Sequence, residues 1–151
     1  MTGIDALDQK ILRELGREGR ISNVALAERV GLSPSACLRR VQELERTGVI
    51  RGYRVVTDPE RMGRGFAAYV LVGLSSHTKA SHEGFERAMA IAPEVVECHN
   101  IAGAFEYLLR VESADLAEYK RCHTEILGTQ SHVNAITSYI VMGSSKKERS
   151  A

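Results

Sequence analysis

The sequence predicts an α+β chain built of two units. Three observations lead there. Residues 1–50 hold three short helical patterns, the last two joined through Gly31. Residues 65–143 switch between periods of two and 3.6 in the order βαββαβ. Between them, at 51–64, lies a linker strand and hinge in which Asp58-Pro59 ends a β-rich run. The first pattern is that of a helix-turn-helix, winged-helix-like unit. The second is that of a ferredoxin-like sandwich, with two helices on one face of a four-stranded antiparallel sheet. Residues 144–151 form a basic tail.

The first helix is expected from Asp5 to about Gly16, with Asp5 as its cap and Asp8 in its first turn. Leu7, Ile11, Leu12 and Leu15 make its apolar stripe. Ser22 caps a second helix, Asn23 to Val30, that turns Leu26, Ala27 and Val30 inward. Small Ala27, four residues before Gly31, lets the next helix approach closely, and glycine accepts the left-handed turn.

The third helix begins at Ser33, a good N-cap, with Pro34 at the position where its missing N–H costs nothing. Gly48 ends it. Cys37, Val41 and Leu44 form a narrow buried stripe, so Ser35, Arg39, Gln42 and Arg46 point the opposite way. Ser, Arg and Gln on such a face are the chemistry that reads a DNA major groove. The stretch assigned to DNA comprises Ser33, Ser35, Ala36, Arg39, Arg40, Gln42, Arg46 and Arg51. Arg40 lies on the flank of the helix and suits phosphate more than bases. Arg51 and Arg54 either touch DNA backbone or solubilise an edge strand. The alternative for the whole unit is a trihelical protein-interaction module.

The second unit opens with a strand, Phe66 to Leu74. A helix around His82 to Ala92 follows, then strands Val95 to Ile101 and Tyr107 to Val111. Ser113 is expected to cap a helix to about Leu127, and Ala135 to Met142 is the last strand. The first strand is apolar on both faces, with Ala67, Tyr69 and Leu71 opposite Phe66, Ala68, Val70, Val72 and Leu74. The last strand repeats this with Tyr139, Ile140, Val141 and Met142. A half-wet antiparallel sheet alternates apolar with polar. An outer face that stays apolar is expected to be covered by a second copy of the domain. The resulting dimer gives two reading helices for two DNA half-sites.

The 151 residues carry 44% hydrophobic and 26% charged side chains and a net charge of +1, so the chain is no polycation. Its basic charge is local. Residues 33–54 hold five arginines (39, 40, 46, 51, 54) against two acids (Glu43, Glu45). The tail adds Lys146, Lys147 and Arg149 against Glu148. One basic surface on a neutral protein suits a module that meets phosphates. No apolar run is long enough to span a membrane, and no signal pattern opens the chain. Three cysteines without a CxxC suggest reduced thiols and a cytoplasmic setting.

The chain resembles the leucine-responsive and asparagine regulator (Lrp/AsnC) family of prokaryotic transcription factors. The residues that carry the likeness include Leu7-Asp8, Gly19-Arg20-Ile21-Ser22, Val30-Gly31-Leu32-Ser33, Cys37-Leu38-Arg39-Arg40-Val41, Gly48-Val49-Ile50, Asp58-Pro59, Pro93-Glu94-Val95-Val96-Glu97-Cys98, Tyr107-Leu108-Leu109-Arg110-Val111 and Thr137-Ser138. The resemblance implies sequence-specific binding of palindromic double-stranded DNA. It implies homodimers paired through their sheets and often assembled further, into tetramers of dimers or larger rings. It also implies a small effector, usually an amino acid, between C-terminal domains. The family's effector segment typically reads Thr-Gly-Asp-x-Asp-Tyr; here Ala102-Gly103-Ala104-Phe105-Glu106-Tyr107 keeps the glycine and tyrosine and loses two polar groups. Gly103, Ala104, Glu106, Tyr107, Thr137 and Ser138 are the effector residues so implied.

Two Cys-His pairs, Cys98-His99 and Cys122-His123, are the only metal-ligand pattern, and neighbours on a strand point to opposite faces. His123 falls on an apolar helix stripe, where a core or interface histidine is the commoner case. No metal, cofactor or catalytic residue is assigned. No nucleophile–base pair, phosphate loop or paired carboxylates point to an enzyme.

Overall fold

A computed structural model describes residues 3–146. The part of the basic tail after Lys146 lies outside the described residues. The chain divides between Val56 and Thr57 into two compact units.

The first unit holds α1 (Ala6–Arg17), α2 (Asn23–Val30) and α3 (Pro34–Arg46). Asp5 and Asp8 form a reciprocal capping box: Asp5 accepts the Asp8 amide at 2.8 Å and Asp8 accepts the Asp5 amide at 3.2 Å. Ser22 and Ser33 cap the next two helices. Gly31 stands at φ +76°, the left-handed conformation that the tight turn requires, and Gly48 adopts the same torsion after α3. Ile11, Leu26, Ala27, Val30, Cys37 and Leu44 form the core, with Val41 and Leu12 half-buried beside it. The three helical stripes read from the sequence meet there.

The linker departs from expectation. Residues 51–57 form no strand, because no neighbouring strand accepts their backbone ladder. Val55 and Val56 are 87% and 96% exposed. Their β-propensity expresses a fit to a pleated partner that the chain does not supply here.

The second unit holds β1 (Phe66–Leu74), α4 (Lys79–Ile91), β2 (Val95–Asn100), β3 (Tyr107–Ser113), α5 (Leu116–Cys122) and β4 (Val133–Ile140). The antiparallel sheet has the order β2-β3-β1-β4. With α4 and α5 packed on one face, this is the ferredoxin-like arrangement. Ala68, Val70 and Val72 from β1 and Tyr107, Leu109 and Val111 from β3 meet Phe85, Met89, Tyr119, Cys122 and Leu127 in its core. Each large apolar side chain buried there is worth about 1.5–3 kcal/mol. Exposed ion pairs are worth about 0–1 kcal/mol each, so the core decides the fold.

Element ends differ in three places. Thr78, not a residue near His82, caps α4 by accepting the Ser81 amide at 3.2 Å. Asp115, not Ser113, caps α5; Ser113 is still paired with Phe66 in the sheet. β4 starts at Val133 and ends at Ile140. After Cys122 the helix widens into a π turn, His123–Leu127, and the Gly128 amide donates to the His123 carbonyl at 2.9 Å. A Cβ on Gly128 would lie 3.0 Å from the Thr124 carbonyl oxygen.

Candidate nucleic-acid interface and ligand segment

Helix α3 is fixed at its start from two sides. The Ser33 hydroxyl accepts the Ala36 amide at 3.3 Å, and the Asn23 side-chain amide donates to the Pro34 carbonyl at 2.8 Å. Cys37 and Leu44 are buried, while Ser35, Arg39, Gln42 and Arg46 are exposed. Ala36 is half-buried. The side of α3 turned away from the core is therefore the Ser, Arg and Gln face.

The arginines near this face differ in their engagements. Arg39 and Arg51 make no hydrogen bond or ion pair with the described residues. Arg46 forks onto Glu43, with contacts of 2.8 and 2.6 Å, and holds the Glu43 carboxyl below its usual range. Arg40 places one guanidinium nitrogen 2.7 Å from Asp5 and 2.8 Å from Asp8. Composition alone did not separate these roles. The sequence signal is the pair of acids at the start of α1, Asp5 as its cap and Asp8 in its first turn.

The candidate ligand segment, 102–107, lies in the second unit. Ala102, Gly103 and Ala104 are exposed. Gly103 has open space where a Cβ would sit and no left-handed torsion. Glu106 reaches back across the segment. Its carboxylate accepts the Leu74 amide at 2.6 Å and meets His77 Nε2 at 2.8 Å. The Leu74 amide and then His77 hold the Glu106 carboxyl below its ordinary range. Leu74 and His77 were not singled out from the sequence.

The remaining residues assigned to the ligand do not share one face. Tyr107 is fully buried on the helix side of the sheet. Its hydroxyl donates to Glu86 at 2.7 Å and lies 2.8 Å from His82 Nδ1. Burial, then Glu86, pushes its ionisation well up. Ser138 also faces the helices, where its hydroxyl meets that of Tyr119. Thr137 pairs with Leu71 on the opposite, outer face. That face carries Ala67, Tyr69 and Leu71 from β1, with Leu108, Arg110 and Glu112 from β3. Arg110 lies 5.3 Å from the Tyr69 ring centroid and 2.9 Å from Glu112, and on β2 Glu97 and His99, 3.2 Å apart, face the same way, so the face combines an apolar β1 centre with a polar β2 side. Among the described residues, no three His, Cys, Asp or Glu side chains gather into a group fit to hold a metal.

A trihelical unit with an arginine-bearing third helix, followed by a ferredoxin-like domain, defines a two-domain DNA-binding regulator. Residues 4–51 match the model of a winged helix-turn-helix DNA-binding domain, and residues 67–151 match that of the Lrp/AsnC ligand binding domain. The chain belongs to the Lrp/AsnC family of transcriptional regulators. It is 42% identical over 139 residues to a leucine-responsive regulatory protein of Haemophilus influenzae, covering 92% of this chain and 84% of that one. It is also 42% identical to a proline dehydrogenase transcriptional activator of Rhodobacter capsulatus, covering 92% and 90%. Among solved structures, a Neisseria meningitidis transcriptional regulator in complex with L-methionine superposes with a TM-score of 0.94 at 34% identity, covering 99% and 96%. A feast or famine regulatory protein of M. tuberculosis, complexed with L-methionine, gives 0.83 at 30% identity, covering 97% of each chain. These relatives are regulators of transcription rather than enzymes. No helix among the described residues is long and apolar enough to cross a membrane.

Proposed function

We propose that this regulator works in the cytoplasm as a symmetric assembly, reading paired operator half-sites with α3 and responding to an amino acid at its C-terminal domain. The observation that carries the reading is Arg39, without a partner among the described residues, on the exposed face of a helix otherwise locked by caps and core. Ser35, Arg39 and Gln42 reach base edges. Ser33, Ala36, Arg46 and Arg51 line the phosphate path.

The apolar outer sheet face supports assembly. Tyr69 and Tyr139 are 37% and 58% exposed there, which favours a second copy covering them. Amino-acid binding is supported by the relatives solved with L-methionine. The ligand segment is Gly103, Ala104 and Glu106, with Thr137 on the outer face. With alanines at 102 and 104, its side-chain chemistry favours an apolar amino acid.

The test uses the full chain. Thermal shifts are recorded with each of the twenty amino acids, L-methionine first. Any hit is followed by sedimentation and by gel shifts on the promoter of the protein's own gene. A hit that changes assembly size or DNA affinity is the expected result. Indifference to all twenty in stability, assembly and DNA binding sinks the ligand reading. A monomer at micromolar concentration sinks the assembly.

A further inference from the structure

We propose that Arg40 is a positioning residue: it clamps the DNA-reading helix α3 to the start of α1 through Asp5 and Asp8, and does not itself contact DNA. The inference rests on α3 being the reading helix.

Three observations carry it. One guanidinium nitrogen of Arg40 lies 2.7 Å from Asp5 and 2.8 Å from Asp8, bridging two helices that are 32 to 35 residues apart in sequence. Arg40 is 31% exposed at its side chain and Asp8 only 15%, so solvent and salt screen the pair less than an open surface bridge. A groove of about 250 Å³ lies between the start of α1 and α3, lined by Ile4, Asp5, Asp8, Arg40, Glu43 and Leu44 among others. Apolar packing does not fill this gap. The ion pair spans it and ties the start of α1 to the middle of α3, beside the core contacts of Ile11 with Cys37 and Leu44.

Charge argues against a phosphate contact. The cluster holds one guanidinium and two carboxylates, a net −1. Glu43, on the same groove, is neutralised by Arg46 and adds no positive charge. A phosphate approaching Arg40 meets two carboxylates already in its place. Arg39, the preceding residue, faces no such competition among the described residues.

The distinction is measurable, because a phosphate contact and a clamp fail differently. A phosphate contact adds equally to specific and non-specific binding and steepens the salt dependence. A clamp acts on the register of base-reading side chains and so on specific binding alone. The variants are Arg40→Ala and the double variant Asp5→Asn/Asp8→Asn. Asparagine still caps helices, so the double variant removes charge while keeping the caps. Full-length proteins are titrated against a duplex that the wild type selects from random sequence, and against an unrelated duplex, across a salt series.

The expected result is a loss of roughly tenfold in specific affinity for both variants, with non-specific affinity not lowered and the slope of log K against log salt unchanged. The proposal is overturned if Arg40→Ala makes that slope shallower by about one. It is also overturned if the double variant, with its arginine released, binds the selected duplex as well as or better than wild type. Loss of non-specific binding in both variants assigns Arg40 to folding instead, which equally overturns it. If Arg40→Ala alone fails to fold, the double variant decides. The triple variant Ser35→Ala/Arg39→Ala/Gln42→Ala serves as control: wild-type specificity in that variant unseats α3 as the reading helix, a separate failure.

Discussion

The Glu106 carboxylate accepts the backbone N–H of Leu74 at 2.6 Å, tying the ligand segment to the end of β1. This acid of the proposed ligand segment is already engaged by Leu74 and His77. An effector that uses Glu106 must share or displace these partners.

A pH dependence follows. The folded Glu106 carboxyl titrates below its ordinary range, first because of the Leu74 amide and then His77. A depressed carboxylate stabilises the fold above its unfolded value, about 4.3. That contribution is lost as pH falls through the lower folded value. Glu106→Gln is therefore less stable than wild type at pH 7, and the gap closes on acidification below about pH 4. Thermal unfolding from pH 7 to pH 3 measures it. A constant gap across the range contradicts the assignment.

Tyr107→Phe tests the buried hydroxyl. The ring and its packing on Phe85 remain, with centroids 4.6 Å apart in the wild type. Glu86 and His82 lose their shared partner. The expected destabilisation is about 1 kcal/mol, near the net worth of one hydrogen bond, because Glu86 can turn to water. Denaturant titration reads it. A loss above about 3 kcal/mol would show the hydroxyl organising more of the domain than two side chains.

Gly31→Ala isolates backbone torsion. Nothing lies within 4 Å of the added methyl, so sterics against neighbours play no part. The left-handed φ of +76° is the whole cost, about 1–2 kcal/mol. The first unit is expected to lose that much stability in urea titration followed by helical circular dichroism. An unchanged midpoint would mean the turn relaxes to another conformation.

Arg39→Ala tests base reading. If Arg39 contacts a guanine, the variant loses about 1–3 kcal/mol of specific affinity and tolerates other bases at one position of the site. Selection from random duplexes, compared with wild type, shows which position relaxes. Equal preference at every position would remove Arg39 from the base contacts.

Much of the fold was legible because it rests on periodicity. Ile11, Leu26, Val30, Cys37 and Leu44 were placed by helical spacing, and they form the core of the first unit. The sheet order follows from the βαββαβ pattern. Strand faces at the ligand set were less well read. Thr137 and Ser138 are neighbours on a strand and necessarily face opposite ways, by the same alternation that separates Cys98 from His99. Tyr107 begins a strand whose alternate residues Leu109 and Val111 are buried, so its own position was set by the same rule. Arg40 was harder. Its partners are 32 and 35 residues away, and no local pattern reports an ion pair across that distance. Likewise the linker's valines read as a strand because propensity carries no information about whether a pairing neighbour exists.

The π turn at His123–Leu127 gives the second domain a length buffer. A helix that takes in one surplus residue as a wide turn keeps the residues on either side facing as before. Cys122 and Leu127, both fully buried, bracket this turn. Thr124 and Glu125 between them are exposed. A chain one residue shorter at either position would run through as an ordinary α-helix and still deliver Leu127 to the core. Insertions and deletions of a single residue are normally disruptive inside a packed helix; the wide turn is the point of α5 whose geometry accommodates one.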